Sequence, residues 1–215
     1  MLAIENSIYE KGYRHIACID EVGRGCLAGN VTACAVIMPK GLQIEGVNDS
    51  KMLSRKNREA RFSEIYEKAL FIGIGTASSQ EIDLYNIKRA THMAMIRAIE
   101  SLSNKDGMKV KPDFVLIDAE RIPIDVHQMG VIKGDSKCHG IAAASIIAKV
   151  TRDKEMVALH EAYPMYNFKK NVGYGTKEHI EALRLYGKCE LHRNTFLKKI
   201  LDKNEQMTLP GSLNE

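Results

Sequence analysis

Short apolar runs, separated by longer stretches with helical spacing, dominate the pattern of hydrophobic and polar positions along the chain. Runs rich in β-branched residues predict five strands, at residues 16–19, 31–38, 71–77, 114–117 and 131–132. The short glycine-rich link between the first two runs favours antiparallel pairing, whereas later strands alternate with helices, which favours parallel pairing. The predicted fold class is α/β, with a mixed sheet that is antiparallel at first and parallel later.

Periodic apolar stripes predict helices at about residues 54–69, 79–99, 140–163, 178–186 and 192–203, after a short lead-in helix. Ser54 and Thr176 are candidate N-caps, because their hydroxyls can accept a hydrogen bond from the first helical turn. The segment IAAASIIAKV is apolar on nearly every face, which predicts deep packing. Pro164 ends that helix. Residues 164–215 are therefore expected to form a helical C-terminal part of one domain that spans residues 1–215.

The composition is that of an ordinary globular chain, with 215 residues of which 45% are hydrophobic and 27% charged. A net charge of +4 permits a nucleic-acid partner without requiring one. No apolar run approaches the roughly 18 residues of a membrane span. The N-terminus lacks a signal-peptide layout, so we expect a cytoplasmic protein with no membrane partner. Five cysteines without CxxC spacing indicate small buried side chains in a reducing compartment, rather than disulfides or a zinc site.

Adjacent acids follow the first predicted strand and come directly before a glycine-rich turn. Asp20 and Glu21 precede Gly23-Arg24-Gly25. Neighbouring side chains of a strand point to opposite faces, so the two acids can serve one site only if the strand ends or distorts there. Glycine permits such a distortion. Two carboxylates beside open backbone N–H groups and an arginine indicate a cation site that meets a phosphate.

Two further acids stand in similar settings. Asp118 ends the fourth predicted strand, and Asp135 follows the fifth. Ligands of open α/β sheets collect at the carboxyl ends of strands, so these acids can converge with Asp20 and Glu21. Oxygen ligands without a paired His or Cys favour Mg²⁺ or Mn²⁺ over Zn²⁺, and two such ions can promote in-line phosphodiester hydrolysis. The alternative is that each acid is an ordinary turn former or helix cap.

Motifs along the chain resemble those of the type 2 ribonuclease H (ribonuclease HII) family, in the same order. They are DEVGRGCLAG, NDSKMLS, EIDLYNI, VLIDA, KGDSKCHGIAAASIIAKVTRD, GYGTKEH and HRNTF. The resemblance implies a ribonuclease H-like fold, with a central mixed five-stranded sheet flanked by helices. It also implies an endoribonuclease that cuts RNA in RNA–DNA hybrids and nicks 5′ of single ribonucleotides in duplex DNA, leaving 3′-hydroxyl and 5′-phosphate ends. Such an enzyme serves the excision of ribonucleotides from replicated DNA.

Site residues carry over from the family by motif. The resemblance implies that two Mn²⁺ or Mg²⁺ ions bind the catalytic acids Asp20, Glu21, Asp118 and Asp135. It implies that Gly23, Arg24 and Gly25 contact the ribose 2′-hydroxyl, that Tyr174 packs on the following sugar, and that Ser50 and Lys51 contact the substrate backbone. The lysines Lys169, Lys170 and Lys177, with Arg193, flank the tyrosine and can follow a duplex. Ala119 stands where the family usually has glycine, and Asn30 where it usually has proline.

Three rival functions can be separated from this one. A ribonuclease HIII-like paralogue normally carries an extra N-terminal substrate-binding domain, and only about 15 residues precede the first strand here. A catalytically silent hybrid-binding protein would bind without cleaving, which the intact acids argue against. A two-metal hydrolase of small phosphoesters would ignore nucleic acid. We expect a monomer that acts on RNA–DNA hybrids and on ribonucleotide-containing duplex DNA.

Overall fold

The central element of the fold, in a computed structural model that describes residues 1–48 and 53–205, is a five-stranded mixed sheet. Its strands are β1 (Ile16–Val22), β2 (Val31–Ile37), β3 (Phe71–Ala77), β4 (Phe114–Asp118) and β5 (His127–Val131). The spatial order is β3-β2-β1-β4-β5. The pairs β1–β2 and β2–β3 are antiparallel, and the pairs β1–β4 and β4–β5 are parallel. The prediction of a mixed α/β sheet is therefore confirmed.

Helices cover both faces of the sheet. They are α1 (Ala3–Tyr9), α2 (Arg55–Lys68), α3 (Ser79–Glu100), α4 (Gly134–Lys137), α5 (His139–Ala162), α6 (Phe168–Asn171), α7 (Lys177–Tyr186) and α8 (Asn194–Glu205). Ser54 and Thr176 cap α2 and α7 as predicted, since their hydroxyls accept the backbone N–H of Asn57 and His179. No helix within residues 1–48 and 53–205 is long and apolar enough to cross a membrane.

An apolar core lies on each face of the sheet. Alternate residues of the strands point to opposite sides. Cys18 of β1 therefore packs in the core that contains the small, buried start of α5, and Ile19 packs in the core that contains α3. A third apolar cluster joins the C-terminal helices to the segment after β1, through buried residues such as Leu27, Phe168 and Leu183. The helical C-terminal part thus packs against the glycine-rich turn.

Two strand predictions differ from the structure. The first strand does not end before the acids: β1 continues to Val22, because β2 still pairs with it at Asp20 and Glu21. The fifth strand lies at His127–Val131 and not at residues 131–132. This strand is at the edge of the sheet and is mostly half-exposed or exposed, so its sequence, HQMGV, lacks a buried apolar run.

Candidate active site

Three of the predicted acids come together where the parallel strands end. The parallel pairing of β1 and β4 ends at Ile19 and Ile117, so Asp20 and Asp118 follow at the same edge. Asp118 Oδ1 accepts the Gly134 backbone N–H at 2.6 Å. That bond ties β4 to the first turn of α4, where Asp135 is buried. The connection between these elements therefore places Asp135 beside the strand ends, as the sequence predicted.

Asp20 is buried on the α5 side of the sheet. Burial raises the pKa of the Asp20 carboxyl well above its ordinary value, and the neighbouring Glu21 and Asp118 raise that pKa further. The Ser145 side chain and the Glu21 N–H, which donates to Asp20 Oδ1 at 2.8 Å, offset part of this rise in pKa. Such a cluster of carboxylates needs a cation, and its oxygen-only donors suit Mg²⁺ or Mn²⁺. The residues present therefore fit the expected ions.

Glu21 lies on the opposite face of β1 from Asp20, because the strand stays paired through both acids. The expectation that the strand ends or distorts there, so that both acids share one face, is therefore wrong. Arg24 Nη1 contacts Glu21 Oε1 at 3.3 Å and Glu120 Oε1 at 3.1 Å. On its other side, Glu120 Oε2 lies 3.4 Å from His92 Nε2 of α3. Burial raises the pKa of Glu21, and Arg24 counteracts that rise. Glu120 and His92 were not predicted from the sequence, although Glu120 stands only two residues after Asp118.

The glycine turn after β1 is shaped by close contacts. Gly23 has φ +95°, and a Cβ on it would lie 2.4 Å from Arg152 Nε, so no other residue fits there. Gly25 is exposed, and a Cβ on it would meet nothing within 4 Å. The backbone at Gly25 is therefore open to a ligand from outside. Together the two glycines fix the turn on one side and leave it accessible on the other.

Two fully buried arginines hold this turn in place. Arg152 of α5 donates to the carbonyl oxygens of Asn30, Val172 and Ala28, at 2.9, 2.8 and 3.1 Å. Arg193 donates to the carbonyl oxygens of Arg24 and Gly29. The interpretation of Arg193 as part of a duplex-binding surface is therefore wrong, because its buried guanidinium donates its hydrogen bonds to backbone carbonyl oxygens inside the protein. Nothing in the sequence pattern distinguished these arginines from surface charges.

The Tyr174 loop is joined directly to the glycine turn. The Leu27 N–H donates to the Gly173 carbonyl at 2.8 Å. Gly173 has φ +84°, and a Cβ on it would lie 2.4 Å from the Ala28 carbonyl oxygen. Tyr174 is 39% exposed, and the centroid of its ring lies 5.9 Å from Lys149 Nζ. An accessible aromatic ring therefore lies beside the turn that carries Gly25.

A buried histidine pair supports that loop from beneath. His179 Nδ1 lies 2.9 Å from the Tyr174 carbonyl oxygen, and its Nε2 lies 3.0 Å from His192 Nε2. Burial lowers the pKa of His192 to about 4, and the neighbouring His179 adds to that effect. His192 is therefore a neutral structural group at physiological pH. Ser50 and Lys51, the remaining predicted substrate contacts, lie outside the described residues.

A five-stranded mixed sheet with acids at the ends of its central strands defines a ribonuclease H-like nuclease. Among solved structures, the ribonuclease H2 from Pyrococcus horikoshii OT3 matches 90% of this chain and all of that chain, with a TM-score of 0.70 and 25% identity. A second, Bst ribonuclease HIII in complex with Mn²⁺, matches 89% of this chain and 70% of that chain, with a TM-score of 0.60 and 19% identity. The second likeness shows the fold alone.

Sequence comparison identifies the family. The ribonuclease HII family model matches residues 17–199. The ribonuclease HII of Alkaliphilus oremlandii is 57% identical over 198 residues, which cover 92% of this chain and 98% of that protein. The chain therefore belongs to the ribonuclease HII family. It is an endoribonuclease of the ribonuclease H type, which acts on RNA–DNA hybrids.

Proposed function

We propose that this enzyme nicks duplex DNA on the 5′ side of a single embedded ribonucleotide, in addition to cutting RNA–DNA hybrids, and leaves 3′-hydroxyl and 5′-phosphate ends. One observation carries the proposal: the Gly23-Arg24-Gly25 turn, the Tyr174 loop and the acids form one continuous structure. The turn follows β1, which carries Asp20, and the Leu27–Gly173 hydrogen bond joins it to the tyrosine loop. Recognition of one nucleotide and cleavage beside it can therefore be coupled.

The acids would hold two divalent cations, Mn²⁺ or Mg²⁺. In support, the pKa of Asp20 is raised by burial and by its acidic neighbours, so a cation there would relieve repulsion. A ribonuclease HIII of the same fold has been solved with Mn²⁺. When bound, such ions activate the attacking water and stabilise the charge on the leaving oxygen. The Gly134 N–H orients Asp118, and the Glu21 N–H orients Asp20, so both carboxylates are held in position.

The glycine turn would select the ribose. The 2′-hydroxyl is the group that separates RNA from DNA, and backbone atoms can approach it only where side chains are absent. The open surface at Gly25 supports this role. The ring of Tyr174 would pack on the next sugar, since it is accessible and Lys149 lies near its face. Arg24 would carry its charge to a phosphate while it neutralises Glu21.

The C-terminal part, residues 164–215, would bind the duplex. Lys169, Lys170 and Lys177 are exposed and flank the Tyr174 loop. Lys170 and Lys177 form ion pairs with Glu178 and Glu181, and phosphates would replace these weak surface partners. Ser50 and Lys51 would add backbone contacts, as the family motif implies. We also propose a monomeric, cytoplasmic enzyme, because one chain supplies both the acids and the recognition loops. All five cysteines are free thiols, which suits a reducing compartment.

A pair of duplexes that differ by one hydroxyl group tests the proposal. One duplex carries a single ribonucleotide in DNA, and the other carries the corresponding deoxyribonucleotide. With Mn²⁺ or Mg²⁺ we expect a nick 5′ of the ribonucleotide only, with end chemistry mapped by ligation and phosphatase sensitivity. Equal cleavage of both duplexes, or cleavage restricted to continuous hybrids, would contradict the proposed selectivity. Binding of the duplex without cleavage would favour the silent hybrid-binding alternative.

A further inference from the structure

A second cluster of metal-ligand side chains lies away from the acids, between the N-terminal helix and the sheet. Glu5 of α1, Cys18 of β1 and Cys138, the residue before α5, each offer a ligand atom, and these atoms all lie within 4.8 Å of one another. The two sulfur atoms are 3.9 Å apart. All three side chains are buried. Three separate elements therefore converge on one small volume.

The carboxylate of this cluster is incompletely satisfied. Glu5 is only 6% exposed. Its Oε1 accepts the Gly140 N–H at 3.0 Å, near the start of α5. Its Oε2 is buried and has no hydrogen-bond partner. A buried acceptor without a partner is unfavourable, and the capping of α5 explains only one of the two oxygens.

A small cavity lies beside the three ligand atoms. A cavity of about 20 Å³ is lined by Glu5, Cys18 and His139, among others. That volume holds about one water molecule. Gly140 keeps the place open, because a Cβ on it would lie 2.3 Å from Cys18 Sγ. The absence of a side chain at Gly140 thus leaves the Cys18 sulfur room beside the carboxylate.

We propose that Glu5, Cys18 and Cys138 form a binding site for Zn²⁺, separate from the carboxylate site. Two Zn–S bonds of about 2.3 Å at a tetrahedral angle place their sulfurs about 3.8 Å apart, close to the separation found here. A thiolate pair selects a soft cation, whereas carboxylates alone prefer Mg²⁺ or Mn²⁺. The cavity leaves room for one water as the fourth ligand. The interpretation of all five cysteines as inert hydrophobic residues is thereby revised for two of them.

Such an ion would connect elements that carry the catalytic acids. Cys18 stands two residues before Asp20 on β1, and Cys138 stands three residues after Asp135. Zn²⁺ would hold α1 against both segments and stabilise the fold by binding the native state alone. Its role is structural, because none of the three ligands touches the proposed substrate surface.

Cobalt substitution tests the site in the full-length protein. Chelator-treated wild type is titrated with Co²⁺, and the sulfur-to-cobalt charge-transfer absorption in the near ultraviolet is recorded. We expect one thiolate-bound Co²⁺ per chain, displaced by Zn²⁺. Cys18→Ala and Cys138→Ala should abolish the band. Cys34→Ala, a matched change at another buried cysteine, and Asp118→Asn, a change at the carboxylate site, should both retain the band.

The proposal fails if the wild type shows no thiolate band, or if the band survives in both Cys18→Ala and Cys138→Ala. A further variant does not depend on the folding of the cysteine mutants. Glu5→Gln keeps both thiols, so we expect the band to remain while the affinity for Zn²⁺, measured against a chromogenic chelator, falls at least about tenfold. Unchanged affinity for Zn²⁺ in Glu5→Gln would remove Glu5 from the site.

Discussion

The acid cluster (Asp20, Glu21, Asp118 and Asp135) lies beside the recognition loops, which are the Gly23-Arg24-Gly25 turn and the Tyr174 loop. The two regions are stabilised in opposite ways. Asp20, Glu21 and Asp118 stand on regular strands and Asp135 on the short helix α4. Burial, and then repulsion from Glu21 and Asp118, raise the pKa of Asp20. The glycine turn and the Tyr174 loop lack regular structure, and two buried arginines bind their carbonyl groups. The acid cluster therefore has a regular backbone but needs a cation to balance its charge. The carbonyl groups of the recognition loops already have hydrogen-bond donors within the protein.

The two regions also differ in their response to protons. Asp20 and Glu21 have raised pKa values, so protonation favours the folded acid cluster. His192, beneath the Tyr174 loop, has its pKa lowered to about 4, so protonation disfavours the folded loops. Acidification should therefore relieve the acid cluster and weaken the recognition region. The acid cluster therefore places carboxylates where burial disfavours their charge. The recognition loops are instead supported by a neutral histidine and by hydrogen-bonded arginines.

Asp118→Asn should have the largest effect, because it removes a cation ligand without changing the shape of the site. Cleavage of a ribonucleotide-containing duplex should fall by a factor on the order of 100 or more. Stability should not fall and should rise slightly without metal, since one repelling charge is lost. Cleavage rates and urea unfolding of the same preparation measure both effects. Undiminished cleavage would exclude Asp118 from the active site.

Arg152→Met should destabilise the recognition loops without changing the acid cluster. Three carbonyl oxygens, including those of Ala28 and Val172, would lose their buried donor. We expect the free energy of unfolding to fall by about 4 kcal/mol, measured by urea denaturation. Arg89→Met, at an exposed position of α3, is the matched control and should cost less than about 0.5 kcal/mol. Equal losses of unfolding free energy in the two variants would show that the buried arginine does not stabilise the loops.

The His179–His192 pair should make stability fall with acidification. Because the folded pKa of His192 is about 4 and its ordinary value is 6.5, the unfolded chain takes up the proton first. The stabilisation is present above pH 6.5 and is lost as the pH falls toward 4, by about 3 kcal/mol. His192→Gln should flatten this dependence in urea unfolding, while His127→Gln, at an exposed position, should not. Parallel curves for His192→Gln and the wild type would contradict the assignment.

Ala119→Gly should produce the smallest effect, and a favourable one. Ala119 follows the catalytic Asp118 and has φ +48°, a left-handed conformation that costs an alanine roughly 1 kcal/mol. Glycine removes this strain but loses more chain entropy, so we expect a net gain of about 0.5 kcal/mol in thermal unfolding. Ala60→Gly, in the exposed part of α2, should instead lose about 1 kcal/mol. A loss of stability in both variants would show that Ala119 is unstrained.

The sequence allowed the sheet to be predicted because its central strands are continuous apolar runs. It failed at β5, where an exposed edge strand has no such run. Asp20, Glu21 and Asp118 could be predicted for the same reason, because they stand at the ends of recognisable buried strands. The preference of the family for glycine after Asp118 now has a physical cause, since the backbone there is left-handed.

The support of the recognition loops could not be predicted from local patterns. Arg152 and Arg193 look like surface charges along the sequence, and only the folded chain shows that backbone carbonyls surround them. The contact between Gly173 and Leu27 joins residues far apart in the chain, so no window of sequence records it. The same holds for Glu5, Cys18 and Cys138, whose closeness depends on how α1 docks.

The most direct test of the division between cutting and recognition compares Asp118→Asn and Tyr174→Ala on two substrates, a continuous RNA–DNA hybrid and a duplex with one ribonucleotide. Asp118→Asn should slow cleavage of both substrates by the same factor. Tyr174→Ala should slow cleavage of the single-ribonucleotide duplex by about tenfold, through lost packing on the sugar, and affect the hybrid much less. If Tyr174→Ala slows both substrates equally, or neither, the glycine and tyrosine loops do not select the ribonucleotide.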